Sequence, residues 1–308
     1  MNCGIVILNY KDYALTESLL GRIKDCPEIE HIVVVDNDSP NDSYTHLKQH
    51  ESPKVSVIQS GRNGGYSFGN NVGIRWLIEH HRPDIIGIAN PDVIFDGAFV
   101  GKIKQVFAEH PDYAVLTGIQ LKPSGMIGDN PFWEDESTPW AMFAHVLKGI
   151  FLRTSDLRNA SYLEGIRHSP RELNPVWAVE GSLFFVRRED FEAAGLFDEN
   201  VFLYYEEHIL AFKLSRMGRK TGVINTISFV HAHPAPKDCT PAERFRHGME
   251  ALSIRNASLG YYFGHYVTSS KVLLGMFRVL LSVRRLKSRL TYLARRLLNY
   301  ISFLRIRI

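Results

Sequence analysis

Cysteine is scarce in this chain of 308 residues, and its scarcity excludes several kinds of protein. The three cysteines, Cys3, Cys26 and Cys239, are too few and too scattered for a disulfide framework or a thiolate zinc site. We therefore expect a reducing, cytoplasmic environment. The first residues show no basic stretch followed by an apolar one, so we expect no signal peptide. The uncharged apolar runs are too short for a membrane-spanning helix.

Acidic residues are missing from the last part of the chain. Residues 251–308 contain eleven Lys and Arg and no Asp or Glu, which leaves 25 basic against 33 acidic residues in the rest. An acidic body with a basic tail indicates an anionic surface as the partner of the tail. We expect a body over residues 1–240 and a helical, basic extension over residues 241–308.

The first 120 residues alternate short apolar or β-branched runs with helical patterns. The predicted strands are Ile5–Asn9, His31–Asp36, Lys54–Ser60, Ile85–Ala89 and Ala114–Gln120. The predicted helices cover residues 12–25, 41–50, 68–81 and 97–109. This alternation predicts an α/β fold, a mostly parallel sheet with helices on both faces. Right-handed crossovers then place the loops after these strands at one edge of the sheet.

The alternation stops after residue 120. Residues 121–176 mix Pro, Gly and charged residues with Trp133 and Trp140, which indicates a long binding or lid segment. A single strong strand is predicted over Trp177–Val186, followed by a helix at about 206–217.

The fourth predicted strand runs into Asn90-Pro91-Asp92. Ligands of α/β sheets lie beyond the carboxyl ends of the strands, and Mg²⁺ or Mn²⁺ suits one carboxylate together with diphosphate oxygens. Asp92 is therefore a candidate metal ligand. The alternative is a plain turn, because Asn, Pro and Asp are common turn residues.

Asp36 ends the second predicted strand and is a candidate for contact with a nucleotide. The alternative is a capping role, but Asp38, Ser39 and Asp42 suit that role and leave Asp36 free. The glycine-rich segment after the third strand is not a Walker sequence, and a plain connection explains it as well as a phosphate loop does.

Glu206 and Glu207 follow a run of aromatic residues. Apolar neighbours raise the pKa of a carboxyl, which suits a general base near neutral pH. The alternative is that both acids complement the helix dipole. His231 and His233 share one face of an extended segment, where either is a candidate metal ligand or a hydrogen-bonded core residue.

Together these stretches resemble the family-2 glycosyltransferases with a GT-A, Rossmann-like fold, and most of all the bacterial rhamnosyltransferases of surface polysaccharide synthesis. The resemblance rests on the order and spacing of short motifs over residues 3–235. These are Ile5–Tyr10, Val35–Ser39, Asn63-Gly64-Gly65, Asn70-Asn71, Asn90-Pro91-Asp92, Gly181–Phe184, Gly195–Glu199 and Tyr204–Glu207.

The resemblance implies an inverting transfer of a sugar, a rhamnose-like deoxysugar above all, from a dTDP- or UDP-linked donor to a glycan or lipid-linked acceptor, as in O-antigen synthesis. Glu207 matches the catalytic base, while Asp92 and His231 match residues at a Mg²⁺ or Mn²⁺ ion and the diphosphate. The remaining matched positions are assigned to the donor: Asn9, Asp36, Asn63, Asn71 and Asn90. Two motifs depart from the family pattern. Glu206-Glu207 and Ile209 replace a Glu-Asp pair followed two residues later by Asp, and Asn90 replaces the first acid of a D-x-D motif.

The spacing of apolar residues in the tail predicts an amphipathic helix. Apolar residues recur here at three- and four-residue spacing: Leu286, Leu290, Leu293, Leu297, Ile301, Leu304 and Ile308. The arginines fall on another face of the same helix. This pattern is typical of a helix lying on an anionic membrane surface, with Tyr261, Tyr262, Phe263 and Tyr266 at headgroup level. A packed helix or a homodimer interface is the alternative.

We therefore expect an enzyme held peripherally at the inner face of the plasma membrane. A non-catalytic, membrane-associated nucleotide-sugar-binding protein is the alternative. A nucleotidyltransferase would need a glycine-rich loop after the first strand, and Asn9–Asp12 is not one. Nucleic acid is not expected as a partner, because the basic residues of the tail alternate with leucines at helical period.

Overall fold

The computed structural model describes residues 1–128, 132–151, 162–232 and 239–305, with side chains as far as residue 294. The chain forms two compact units. The first comprises Met1–Glu136 and Leu157–Pro234, and the second comprises Ser137–Asp156 and Ala235–Ile308. The domain boundary predicted at residue 240 stays a prediction.

All strands of the described residues lie in the first unit. In chain order they are β1 (Cys3–Asn9), β2 (His31–Asp36), β3 (Val55–Gln59), β4 (Ile85–Ala89), β5 (Val93–Ile94), β6 (Tyr113–Leu121), β7 (Phe132–Trp133), β8 (Leu173–Val176), β9 (Ala178–Val179), β10 (Leu183–Arg187) and β11 (Lys220–His231). The helices of this unit are α1 (Tyr13–Ile23), α2 (Ser43–Lys48), α3 (Gly65–His81), α4 (Gly97–Glu109), α6 (residues 162–167), α7 (Arg188–Ala193) and α8 (Glu206–Arg216).

The main sheet is mixed, with the strand order β3-β2-β1-β4-β10-β6-β11-β5, and β8 pairs with β11. Strands β1 to β4 are parallel to one another, as are β6 and β11, whereas β10 runs antiparallel to both β4 and β6. The carboxyl ends of β1, β2, β4, β6 and β11 therefore meet at one edge. This edge carries the candidate site.

Side chains that alternate along the strands build two cores, one on each face of the sheet. In β1, Ile5 and Ile7 join the core that α1, α2 and α4 cover, while Val6 joins the core that α3, α7 and α8 cover. Alternate residues of a strand point to opposite faces, so an apolar residue at every position requires helices on both sides. The prediction of an α/β sheet between two helical layers is confirmed.

Two sequence-based expectations about the middle of the chain were wrong. Residues 121–176 are not one irregular loop, because α5 covers Pro139–Phe151 and its Met142, Val146 and Ile150 are buried at four-residue spacing. The strand predicted over Trp177–Val186 is interrupted after Val179, and the chain bends before β10 begins.

The second unit contains α5, α9 (Pro241–Tyr262), a π-helical turn and α10 (Lys271–Arg305). Thr240 and Glu243 form a capping box at the start of α9. The predicted C-terminal helix is confirmed. Tyr262 and Phe263 are fully buried, the latter stacked on Phe277 at 4.0 Å, so the expectation that they lie at headgroup level was wrong. No helix in the described ranges is long and apolar enough to cross a bilayer.

Candidate active site

The site is organised around the bend at Glu180-Gly181-Ser182, between β9 and β10. The pairing of Leu183 with Ala89 sets the start of β10 beside the end of β4. The backbone N–H of Asn90 donates a hydrogen bond to the Ser182 carbonyl at 2.7 Å. The bend thereby joins the Asn90-Pro91-Asp92 turn at the edge of the sheet.

His231, the last residue of β11, lies between two carboxylates. Its Nε2 is 3.2 Å from Asp92 Oδ1, and its Nδ1 is 3.5 Å from Glu180 Oε2. Strand β5 holds Asp92 there, because its first residue, Val93, pairs with His231. Burial lowers the pKa of His231, but hydrogen bonds with Asp92 and Glu180 outweigh burial and raise it to about 9. The structure thus brings together the two residues predicted as metal ligands.

Glu180 is held in place by the neighbouring polar side chains. Ser182 Oγ donates to Glu180 Oε2 at 2.6 Å, and the Gln120 amide donates to the same oxygen. Gln120 Nε2 also lies 2.8 Å from His231 Nδ1. This network fixes the imidazole of His231 at the end of β11.

Glu206 and Glu207 begin α8 and lie in different environments, as expected for neighbours about 100° apart on a helix. Glu206 is buried, and burial together with the charge of Glu207 raises its pKa well above the usual range. Glu207 is half-buried, and burial raises its pKa to about 7, although its own N–H and that of Gly181 act in the opposite direction. Glu207 is therefore partly ionised at neutral pH, as a general base requires.

Gly181 gives the Glu207 carboxylate its space. A Cβ atom at Gly181 would lie 2.2 Å from Glu207 Oε1, far inside van der Waals contact. The hydroxyl of Tyr66, on α3, donates to the Gly181 carbonyl at 2.5 Å. Burial raises the pKa of Tyr66 well above its usual range, and the negative charges of the nearby glutamates raise it further. Tyr66 therefore remains a neutral hydrogen-bond donor.

The backbone before α8 is strained. Tyr204 and Tyr205 both adopt φ of 70°, a left-handed conformation that is uncommon for residues with large side chains. The N–H of Tyr66 donates to the Phe202 carbonyl at 2.8 Å and helps to hold this turn. Strain of this kind persists only where surrounding contacts impose it, and it is concentrated at functional sites.

Asp36 is not free of hydrogen bonds, so that part of the sequence-based argument was wrong. Its side chain is fully buried and accepts from Asn9 Nδ2 at 2.8 Å, from Ser39 Oγ at 2.6 Å and from Ser39 N–H at 3.0 Å. Thr16 in turn donates to Asn9 at 3.0 Å. Asp36 and Asn9 thus fix the loop after β2, and their contact with a nucleotide stays a prediction.

Asn71 binds another segment of the protein. Its amide exchanges hydrogen bonds with the backbone of Phe197 at 2.9 and 3.1 Å and donates to Glu199 at 2.9 Å. These bonds tie α3 to the segment that leads to α8. Its contact with the donor is untested, and the observed role of Asn71 is to support the site.

Asn63 connects two loops at the edge of the sheet. Its Oδ1 accepts from Asn37 Nδ2 at 3.1 Å and from Gly65 N–H at 3.2 Å. Its side chain also binds the hydroxyl of Tyr10, and this bond lowers the pKa of Tyr10. The ring of Tyr10 is 42% exposed and lies under the Lys11 ammonium at 4.7 Å. Tyr10 thereby presents an aromatic face beside the end of β1.

A buried pair lies next to Glu207 along α8. His208 Nε2 is 3.4 Å from Glu136 Oε2, and the imidazole packs against Trp133 and Tyr205, each with ring centroids 4.7 Å away. Trp133 belongs to β7, which pairs with β9 just before the bend. Trp133 therefore packs on the body of the protein, whereas Trp140 is exposed on α5. His233 lies outside the described residues.

Sequence reasoning missed Glu180, Gln120, Tyr66 and Tyr10. One feature of the sequence could have identified Glu180 as a candidate site residue, since it is the only charged residue in the apolar stretch Trp177–Val186. The others follow only from the pairing of distant strands and from the contact between α3 and the bend.

Comparisons with known proteins identify the family of this chain. The chain is 29% identical over 235 residues to the low-salt glycan biosynthesis hexosyltransferase Agl10 of Haloferax volcanii, covering 75% of this chain and 67% of the relative. It is 24% identical over 243 residues to the N-acetylglucosaminyl-diphospho-decaprenol L-rhamnosyltransferase of Mycobacterium tuberculosis, covering 76% and 78%.

Among solved structures, the mannosyltransferase PcManGT of Pyrobaculum calidifontis, in complex with GDP-Man and Mn²⁺, has a TM-score of 0.53 at 13% identity, covering 95% of this chain and 87% of the other. At that identity the likeness shows a shared GT-A fold. The model of glycosyl transferase family 2 matches residues 5–169, more than half of the chain. The chain therefore belongs to glycosyl transferase family 2 and is a glycosyltransferase.

Proposed function

We propose that this enzyme works in glycan biosynthesis, transferring a sugar from a nucleoside-diphosphate donor to an acceptor hydroxyl with inversion at the anomeric carbon. The observation that carries the proposal is the half-buried Glu207 carboxylate, whose pKa of about 7 suits a base. It contacts the same bend whose Glu180 binds His231. A base and a diphosphate site on one rigid segment suit a direct displacement.

The proposed reaction is one step. Glu207 takes the proton of the acceptor hydroxyl. At the same time the hydroxyl oxygen of the acceptor attacks the anomeric carbon from the face opposite the diphosphate. The bond between that carbon and the diphosphate oxygen breaks, and the electron pair leaves with the diphosphate. Protonated Glu207 then loses its proton to water. Its raised pKa makes both proton transfers accessible near neutral pH.

Asp92, just after β4, and His231, at the end of β11, lie 3.2 Å apart and fit a divalent ion as a two-residue ligand set. Binding of the ion would displace the proton that His231 carries at neutral pH, because the pKa of His231 is raised to about 9 and a metal binds the neutral imidazole. The described residues hold no cluster of three or more protein ligands. A Mg²⁺ or Mn²⁺ ion here would take its other ligands from diphosphate oxygens and water. When bound, it would stabilise the negative charge on the departing diphosphate. The similar mannosyltransferase structure contains Mn²⁺.

For the donor we propose a dTDP- or UDP-linked sugar, with a rhamnose-like deoxysugar favoured, because one relative is named a rhamnosyltransferase. The exposed ring of Tyr10 is suited to stack on the base. Asn9, Asp36 and Asn63 would hold the loops around the nucleoside, and Asn90 would lie at the diphosphate. Asn71 would act through the segment that leads to Glu207.

For the acceptor we propose a glycan or a lipid-linked saccharide of a surface polysaccharide such as O-antigen. The mycobacterial relative is named for a diphospho-decaprenol acceptor. A lipid-linked acceptor suits an enzyme bound peripherally to the inner face of the plasma membrane, and we propose this location too.

The test is release of dTDP from dTDP-rhamnose, measured with and without N-acetylglucosaminyl-diphospho-polyprenol. Release that requires the acceptor, together with a rhamnosylated lipid product, supports the proposal. Transfer from a UDP-linked sugar other than rhamnose, with none from dTDP-rhamnose, would overturn the preference for a rhamnose-like donor but keep the proposed reaction. Nucleotide binding without any transfer would favour the non-catalytic, membrane-associated alternative.

A further inference from the structure

The strongest feature outside the active site is a row of exposed apolar side chains on α10. We call it the α10 stripe, and its members alternate at spacings of four and three residues. They are Val272, Met276, Val279, Val283, Leu286, Leu290 and Leu293. Their exposed fractions run from 42% at Val283 to 72% at Val272. An unbroken apolar row of this length on a solvent-facing helix indicates an interaction surface.

The opposite side of α10 is already used within its own unit. Phe277 and Leu281 are buried, and Phe277 contacts Phe143 of α5 with ring centroids 5.3 Å apart. Lys287 Nζ also donates to the Ile150 carbonyl. Packing of α10 against α5 and α9 therefore fixes which side faces outward. The side chains of the α10 stripe therefore do not contribute to the core of this unit.

Basic residues border the α10 stripe on one flank. Lys271, Arg278 and Arg285 follow one another at seven-residue spacing, Arg289 extends the row, and all four are exposed. We call them the basic row. At 100° per residue they lie roughly 100° around the helix from the α10 stripe. An apolar face beside a basic flank is the arrangement of helices that lie in a membrane interface.

Either a second copy of α10 or a lipid surface could cover the α10 stripe, and the charge of the helix favours the lipid surface. A second copy of the helix would satisfy the heptad-like spacing, but residues 251–308 contain no acid with which the basic residues of the second copy could pair. An anionic lipid surface supplies both the apolar interior and the opposite charge. The same unit also exposes the large aromatic side chains of Trp140 and Phe151, which suit a membrane interface.

We propose that the α10 stripe inserts into the headgroup and acyl boundary of an anionic bilayer, with α10 parallel to the membrane plane and the basic row at the phosphates. This inference rests on the proposed membrane location of the enzyme and assigns that location to one face of one helix.

The experiment measures binding of the full chain to phosphatidylcholine vesicles with and without phosphatidylglycerol. The variant Leu286→Gln/Leu290→Gln alters the α10 stripe, and Ser282→Gln/Thr291→Gln places the same side chains at exposed positions outside it. We expect the first pair to lower the partition coefficient about tenfold or more, and the control pair to leave it within about twofold. Arg278→Gln/Arg285→Gln should lower binding to anionic vesicles by about tenfold and reduce its salt dependence.

The outcomes separate the inference from the proposals on which it rests. Unchanged binding of the stripe variant would overturn the α10 stripe as the inserted face. No vesicle binding by the wild type would overturn the membrane location. A wild-type dimer in sedimentation analysis that Leu286→Gln/Leu290→Gln dissociates would assign the stripe to a second copy instead. Retained nucleotide binding in every variant confirms that the first unit is intact, and none of these results alters the proposed transfer reaction.

Discussion

Replacing Gly181 with alanine should displace the Glu207 carboxylate, the proposed base, while leaving the proposed donor site intact. The new Cβ would lie 2.2 Å from Glu207 Oε1, whereas ordinary contact begins at 3.4 Å, so the carboxylate must move by about 1.2 Å. A misplacement of about 1 Å at a reacting group can cost about a hundredfold in rate. The atoms that a Cβ at Gly181 would meet belong to Glu207 and Tyr66 and not to Asp92 or His231, so nucleotide affinity should change little.

The assay compares kcat for acceptor-dependent release of nucleoside diphosphate with the dissociation constant of the nucleotide from calorimetry. We expect Gly181→Ala to lower kcat about a hundredfold and the affinity by less than about threefold. Gly21→Ala is the matched control, because a Cβ there meets nothing within 4 Å. An unchanged kcat in Gly181→Ala would refute the proposed position of the base. Equal loss of rate and nucleotide affinity would show instead that the bend itself had collapsed.

The kcat/KM for transfer should rise between pH 6 and pH 8, because burial raises the pKa of Glu207 to about 7 and the base of the free enzyme must be ionised to accept a proton; a flat kcat/KM profile over this range would contradict it. Mn²⁺ should raise nucleotide affinity about tenfold in the wild type and not in Asp92→Ala, as calorimetry would show. Asn71→Ala should lower the free energy of unfolding in urea by about 2–4 kcal/mol, because it leaves the buried Phe197 backbone unpaired, whereas Asn200→Ala, which loses one hydrogen bond to Asp198, should cost about 1 kcal/mol. Burial lowers the pKa of His31 to about 4, so neutral His31 contributes its full stabilisation of the folded state above pH 6.5, and this contribution falls as the pH drops towards 4. In His31→Phe the free energy of unfolding should therefore depend less on pH between 6.5 and 4 than in the wild type.

The strands that carry the site were predictable from the sequence because local pattern determines them. Runs such as Ile85–Ala89 are apolar at every position, and only a strand buried on both faces needs that. Their common edge followed from right-handed crossovers, which is why Asp92 and Asn90 were expected at the site. Helix α5 was missed because the Pro-, Gly- and Trp-rich flanks concealed its four-residue apolar spacing.

The polar contacts within the site could not be predicted from one sequence. Glu180 meets His231 because β10 runs antiparallel beside β4, and β5 folds back along β11. Those pairings bring together Glu180 and His231, which are 51 positions apart in the chain. The burial of Asp36 likewise depends on Asn9 and Ser39, which only the folded loop brings into contact with it. Local pattern sets the strands, and tertiary pairing determines which side chains meet at their ends.

The most direct test of the account is the transfer rate of Glu207→Gln, measured beside its affinity for the donor nucleotide. Glutamine has nearly the same size but cannot accept the proton of the acceptor hydroxyl. We expect kcat to fall by about a hundredfold to ten-thousandfold while nucleotide affinity stays within about threefold of the wild type. A variant that retains most of its turnover would contradict Glu207 as the base, and with it the role proposed for the bend at Gly181.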